Sequence, residues 1–415
     1  MCDPKAMLRS LFETAVAAAA PVTCMKTWIP RRPDGRVVVV GAGKAAAAMA
    51  LEIERQWGAP LSGCVVVPPG HEEDCQLVKV RLAAHPVPDE TCVVAASEIL
   101  AQVAGATENE TVVCLLSGGG SSLLTLPLPG ISLRDKQQIT RELLRSGAAI
   151  HEINCVRKKM SAIKGGKLAA AAAPADIVTL VISDVQGNDL SLVASGPTIA
   201  DASTVDDALS ILHRYRIAVN DTIINAMRTG GKSTTGRLEP DVRMLASSDD
   251  ALQAAALATI ERGITPYLLG DLGGDARALG TEHAELARQI AAGKGPVDPP
   301  CVIMSGGETT VRVRGDGCGG RNGEYALALA IGLNGATGVH ALAADTDGVD
   351  GIGDNAGCFV TPDTIRLAEN AAIDAFECQK NNDTYAFFEA TDNLLITGAT
   401  KTNVNDFRAI LIAAE

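Results

Sequence analysis

Val37-Val38-Val39-Val40-Gly41-Ala42-Gly43-Lys44-Ala45 is the stretch from which the fold is read. Four consecutive β-branched residues make a strand that is apolar on both faces, which suits the interior of a parallel sheet. The glycines then open a tight turn, and small residues continue to Ala48. A strand, a glycine turn and a helix form the first unit of a sheet covered on both sides, and the turn presents backbone N–H groups at a helix N-terminus. Outward from this unit the rhythm continues. Strands are expected at Arg36–Val40, Gly63–Val67, Leu77–Ala83, Thr111–Leu116 and Asp176–Ile182. Helices are expected over Pro4–Ala20, Lys44–Gln56, Asp89–Val103, Ser132–Gly147 and Cys155–Ala171. A polar, glycine-rich stretch, Thr229–Gly236, interrupts the pattern and places a domain boundary, giving domains 1–235 and 236–415. Alternation then resumes, with strands at Val242–Leu245, Thr265–Leu269, Cys301–Met304, Thr309–Val313, His340–Ala344, Asn393–Ile396 and Ala409–Ile412, and helices at Ser248–Arg262 and Asp275–Ala292. The fold class is α/β, with two α/β domains, the N-terminal one Rossmann-like with a mainly parallel sheet.

The bulk numbers agree with that class. The 415 residues are 47% hydrophobic, 20% charged and 3% aromatic, so packed cores are feasible and aromatic binding platforms are not favoured. The net charge of −13 argues against nucleic acid and anionic membrane as partners. The N-terminus lacks the charged and apolar regions of a signal peptide, and Asp3-Pro4 looks like a helix cap, so a cytoplasmic location is expected. The eleven cysteines are scattered without a CxxC pair, which fits buried reduced thiols.

Several segments can carry chemistry. The Gly41–Lys44 turn fits a phosphate site, a dinucleotide fingerprint or plain packing. A dinucleotide site expects a carboxylate at the end of the next strand, but that strand runs into Pro68-Pro69-Gly70. Ser117-Gly118-Gly119-Gly120-Ser121-Ser122 follows an apolar strand, and three glycines in a row suit backbone that passes close to a ligand. Arg157, Ser161 and Lys164 fall on one face if their segment is a single helix. Asp184 and Asp189 follow a strand's carboxyl end, where they suit either Mg²⁺ or a capped turn. Arg321 stands at a glycine-rich turn, with Asn322 placed to cap the following helix. Asp345, Asp347 and Asp350 follow another buried strand, to hold metal, cap a turn or bind substrate hydroxyls. Gly230–Thr234 looks like the end of a Walker A loop, but Ala226 stands where that motif needs glycine, and a linker is the better reading.

Taken together, LLSGGGSSLL (115–124), VRKKMSAIKGGKLA (156–169), ISDVQGNDLSLVASGPT (182–198), GGRNGEYALA (319–328), DTDGVDG (345–351) and TNVND (402–406) resemble the class II glycerate kinases, the glycerate 2-kinase family with a C-terminal MOFRL domain. The resemblance implies two α/β domains with the active site in the cleft between them. It also implies ATP and Mg²⁺, and phosphorylation of D-glycerate to 2-phosphoglycerate. Lys44 and Arg321 match the proposed catalytic pair. On this reading Gly41, Gly43, Ser117, Gly118, Gly119, Gly120, Ser121, Ser122, Lys164, Asp189, Ser195 and Gly196 serve the nucleotide. Asp184, Asp189 and Asp347 are candidates for Mg²⁺, and Asn322, Glu324 and Asp347 join the catalytic pair as substrate contacts. Small molecules are the expected partners, and a homodimer is compatible with the family.

Three departures bear on substrate choice: Lys401 where the family usually has Gly, Gln186 for Pro, and Asp275 for Glu. Two rivals stand beside the kinase: an NAD(P)H-dependent hydroxypyruvate reductase, a label that some members carry, and a non-catalytic sugar-acid-binding protein. The absent ribose carboxylate argues against the reductase, as does the lack of any histidine in a motif with an acidic partner.

Overall fold

The computed structural model describes residues 3–29, 31–231 and 241–414. The expected boundary at 235/236 and most of the Gly230–Thr234 segment therefore lie outside the described residues. The chain forms two compact units, Cys24–Leu245 and Met1–Thr23 with Ala246–Glu415.

The first unit is built on β1 (Arg36–Ala42), β2 (Leu61–Val67), β3 (Lys79–Leu82), β4 (Glu110–Leu116), β5 (Asp176–Ile182) and β6 (Asp241–Ala246). Their order is β3-β2-β1-β4-β5-β6. β1 pairs in parallel with β2 and β4, and so do β2 with β3 and β4 with β5. From β1 the chain moves to one side for β2 and β3, then crosses to the other side for β4. That reversal leaves a crevice beyond the carboxyl ends of β1 and β4, where open α/β sheets bind their ligands. All of β1 after Arg36 is buried, as is all of β4 after Glu110, as four valines in a row require of a central strand.

The second unit carries β7 (Thr265–Asp271), β8 (Gly274–Asp275), β9 (Cys301–Gly306), β10 (Thr309–Thr310), β11 (Val339–Asp345), β12 (Gly357–Val360), β13 (Leu394–Leu395) and β14 (Asp406–Ile412). Its main sheet has the order β13-β12-β11-β14-β9-β7. Only the β7–β9 pairing is parallel; the other four are antiparallel. The expected strand Thr309–Val313 is just two residues long, and β12 has no counterpart in the sequence reading.

The units differ from a cut at 235/236 at both ends. Helix Pro4–Ala19 buries Met7, Leu8, Leu11, Phe12 and Ala15 along one stripe. Phe12 meets Phe407 of β14 with ring centroids 6.2 Å apart, and Arg262 Nη2 donates to Ser10 Oγ at 3.0 Å. That apolar stripe ties the N-terminal helix to the C-terminal unit. β6, in turn, completes the N-terminal sheet.

The expected helix Cys155–Ala171 is two helices, Ile150–Lys159 and Lys167–Ala172. Gly165 and Gly166 break it at φ +62° and +78°. Ser161 Oγ accepts from the N–H groups of Ile163 and Lys164, each at 3.3 Å, so its hydroxyl competes with helix bonding. Arg157, Ser161 and Lys164 therefore do not share a helix face.

Candidate active site

The two glycine turns at the crevice differ in what they offer a ligand. At the β1 turn, Gly43 N donates to Val66 O at 3.1 Å, Lys44 N to Gly118 O at 2.8 Å, and Ala45 N to Ser117 Oγ at 2.9 Å. The donors expected for a phosphate are thus taken by the neighbouring strand ends. The glycines are there for close approach. A Cβ on Gly41 would lie 2.2 Å from Leu115 O, and one on Gly43, whose φ is +132°, would lie 2.3 Å from Ser117 Oγ. Packing against β4 and its turn by itself requires glycine at 41 and 43, whatever the expected nucleotide contact adds.

The β4 turn is open by comparison. Gly119 takes φ +81° and leads into the short helix Gly120–Leu123. Among the described residues, the N–H groups of Gly118, Gly119 and Ser121 carry no hydrogen bond. A Cβ added at Gly119 would stand 3.7 Å from Lys44 Cγ and 3.1 Å from His85 Nε2, so Lys44 and His85 both lie over this glycine. His71 Nδ1 is 2.9 Å from Lys44 O, and Ser122 Oγ donates to Pro86 O at 2.7 Å. His71 and His85 lie outside the glycine-rich and acidic motifs that the sequence singles out, although Glu72 directly follows His71. The usable signal for His85 was its place just beyond β3, at the same end of the sheet.

Lys164, Ser195 and Gly196 reach this region but serve its framework. Lys164 is buried and donates to Ser121 O at 2.9 Å and Ala194 O at 3.1 Å. Burial, with Lys136 and Arg157 nearby, pulls its pKa well below the usual lysine range. Ser195 is buried with its Oγ 3.1 Å from Ser121 Oγ, and Ser195 O and Gly196 O accept from Gly165 N and Gly166 N. Asp184 is half-buried beyond β5, whereas Asp189 is exposed and accepts from Ser191 N at 3.0 Å, capping its own turn.

In the C-terminal unit, Arg321 opens helix Arg321–Leu333 and donates to Asp406 and Asp345, each at 2.7 Å, and to Glu308 at 2.9 Å. Burial opposes its charge, but these three carboxylates outweigh burial and raise its pKa further. The helix is capped by Asp350, which accepts from Asn322 N at 3.0 Å and Gly323 N at 2.8 Å. This corrects the expectation that Asn322 is the cap. Asn322 Nδ2 instead donates to Asp406 at 2.8 Å. Glu324 is buried between Arg277 at 2.6 Å and Asn382 at 2.7 Å, so its oxygens are already engaged. Asp347 is buried and accepts from Val349 N at 2.8 Å, which is a turn cap. Among the described residues no group of three or more His, Cys, Asp or Glu side chains is placed to hold a metal. Asp406 and Arg408 were missed as site residues. Arg408 is buried on β14, donating to Asp406 at 2.5 Å and Gly306 O at 2.6 Å.

A parallel sheet with a switch-point crevice, an open N–H turn and a lysine over it define an α/β protein of the kind that binds small phosphorylated molecules. Comparison with known proteins narrows this class. The family described as a domain of unknown function (DUF4147) matches residues 7–228, and the MOFRL family matches residues 301–406. The chain belongs to this two-part family of glycerate 2-kinase homologues.

The D-glycerate 2-kinase of Thermotoga maritima is 38% identical, with 98% of each chain covered. A crystal structure of glycerate kinase from that organism superposes with a TM-score of 0.89 over 98% of this chain and 99% of that one. An Agrobacterium vitis protein, 47% identical over 98% of this chain and 94% of its own, is provisionally named a hydroxypyruvate reductase.

Proposed function

We propose that the protein is an ATP-dependent kinase that phosphorylates D-glycerate at its 2-hydroxyl, giving 2-phosphoglycerate and ADP. The observation that carries this reading is the Gly118–Ser121 turn, with unengaged N–H groups beneath Lys44. Phosphoryl transfer asks a protein mainly for alignment and for positive charge where negative charge builds. The turn's N–H groups orient the donor's phosphates, and Lys44 neutralises the transferring group. Arg321 is the proposed holder of the glycerate carboxylate. It is already paired, so an incoming carboxylate must replace one partner. Glu308, with 56% side-chain exposure against 6% for Asp345 and 0% for Asp406, is the one that can leave.

A magnesium ion that arrives with a nucleotide draws most of its ligands from phosphate and water and needs only one or two carboxylates. Asp184, half-buried at the carboxyl end of β5, fits that part. When bound, the ion shields charge on the phosphates.

The reductase name borne by a relative meets two obstacles here. The N–H groups of Gly43, Lys44 and Ala45 in the β1 turn are already engaged within the fold, and β2 ends at Val67 without a carboxylate. The next acid, Glu72, folds back onto Gly70 N at 2.7 Å. Among the described residues no helix is long and apolar enough to cross a membrane, and a cytoplasmic setting for this acidic chain is part of the proposal.

Two assays run side by side test the function. ADP release with D-glycerate is expected, and chelation by EDTA is expected to stop it. NADH oxidation with hydroxypyruvate, without ADP release from ATP and glycerate, would overturn the proposal.

A further inference from the structure

Ser121 and Ser122 also line a cavity of about 180 Å³ inside the N-terminal unit. One wall is a face of helix Leu133–Arg145, on which Lys136, Gln137, Thr140 and Arg141 recur at helical spacing. Ile139 and Leu143 of the same helix are buried in an apolar cluster, so the helix divides its faces between core and cavity. Arg157 and Lys164 add further basic side chains, and the described residues of the lining include no carboxylate. Lys136 is 5% exposed, and its Nζ has no hydrogen-bond partner among the described residues. Burial, reinforced by Arg157 and Lys167, lowers its pKa to about 7. An ammonium buried among like charges is costly unless something completes it. Lys164 differs, because its donors brace the turn through Ser121 O and Ala194 O.

We propose that this cavity is an oxyanion subsite for the polyphosphate of the phosphoryl donor, with Lys136 and Arg157 as its charged contacts. The volume supports the assignment. Pockets for whole ligands usually hold about 300–1,000 Å³, so this one takes the phosphate end and not an entire nucleotide. The identity of the ligand rests on the phosphoryl-transfer reading; the oxyanion site itself does not. The phosphate of 2-phosphoglycerate shares the same chemistry, and the experiment separates the two sources.

The test is calorimetric titration of the full chain with tripolyphosphate, β,γ-imido-ATP, D-glycerate and 2-phosphoglycerate. Lys136→Met is expected to weaken the first two by about 10- to 100-fold, the loss typical of one charged hydrogen bond. D-Glycerate and 2-phosphoglycerate should stay within about twofold of wild type, well under the change that one such bond makes. Unchanged binding of both polyphosphates by folded Lys136→Met would overturn the proposal. Selective loss of 2-phosphoglycerate would overturn it too, by placing the acceptor's phosphate in the cavity. Should Lys136→Met not fold, Thr140→Leu narrows the cavity without altering a charge, and full polyphosphate affinity in that variant has the same consequence. Absence of glycerate phosphorylation alongside Lys136-dependent tripolyphosphate binding would remove the kinase reading and leave the oxyanion site standing. Wild-type glycerate phosphorylation with an unchanged KM for ATP in Lys136→Met would do the reverse.

Discussion

Lys44 is the residue on which the proposed phosphoryl transfer turns. Its backbone is fixed by Gly118 O and by His71, and its side chain passes over Gly119. A lysine that only packed there would tolerate truncation, since substitutions away from buried or paired sites usually change stability by less than about 0.5 kcal/mol. A lysine that meets charge developing in the transition state would not. Lys44→Ala is expected to lower kcat by roughly 10²–10³ while changing the KM for ATP and glycerate much less. Steady-state kinetics checks this, with circular dichroism to show that the fold survives. A folded variant that keeps more than about a tenth of wild-type kcat would place Lys44 outside the reacting centre. Lys401 is a contrasting residue. It sits at φ +62°, a conformation that glycine adopts without strain, which explains the Gly usual at this position in the family. Its backbone therefore accounts for the family's preference without appeal to substrate.

At the scale of elements, local signals were read well wherever a segment's own periodicity decided its structure. Asp176–Ile182 was expected residue for residue, and Asp3 does cap the first helix, accepting from Lys5 N at 3.1 Å. The structure departs from the local pattern where a neighbouring segment decides the conformation. Helix periodicity ran through Ser161–Gly166 because the sequence does not show that Gly165 and Gly166 adopt positive φ. The cap of helix Arg321–Leu333 comes from Asp350, 28 residues from Asn322. The first helix falls within 1–235 by sequence, yet it groups with the C-terminal unit, again through residues distant in the chain. Phe12 is 1% exposed against the C-terminal unit. Phe12→Ala is expected to destabilise that unit by about 3–5 kcal/mol. Hydrogen exchange should then show lost protection in β14 and in helix Ser248–Glu261. Loss confined to β1–β5 would assign the helix to the other unit.

At the scale of the molecule, acid stability should bear the mark of one buried base. His283 is 5% exposed, with Nδ1 2.7 Å from Tyr325 Oη. Burial, and then Arg408, lower its pKa from 6.5 to about 4. The unfolded chain takes up a proton near the ordinary histidine value, and the folded chain does not until the pH is much lower. Stability from this site is therefore complete above about pH 6.5 and is lost as pH falls toward 4, by about 2 kcal/mol at pH 5. His283→Gln keeps an acceptor for the tyrosine hydroxyl and cannot titrate. Its urea-unfolding free energy should change less between pH 7 and pH 5 than that of the wild type. Equal slopes would show that other groups govern acid unfolding.

The sequence by itself determined the α/β class, the parallel N-terminal sheet, the glycine turns after β1 and β4, and the family. Each of these is written in short runs of adjacent residues, where side-chain periodicity and glycine spacing act locally. Only the tertiary structure decided which turn has donors to offer. Gly41–Lys44 and Ser117–Ser122 look alike as strings, yet the second supplies the carbonyl and hydroxyl that accept from Lys44 N and Ala45 N. Tertiary structure also decided that Glu324 and Asp347 are engaged within the fold, that Arg321 shares Asp406 with Arg408, and that Lys136 Nζ is buried with no hydrogen-bond partner among the described residues. The physical reason is common to all of them. A hydrogen bond is made once per donor, and whether a donor is already used depends on residues tens of positions away, which strand order brings within 3 Å.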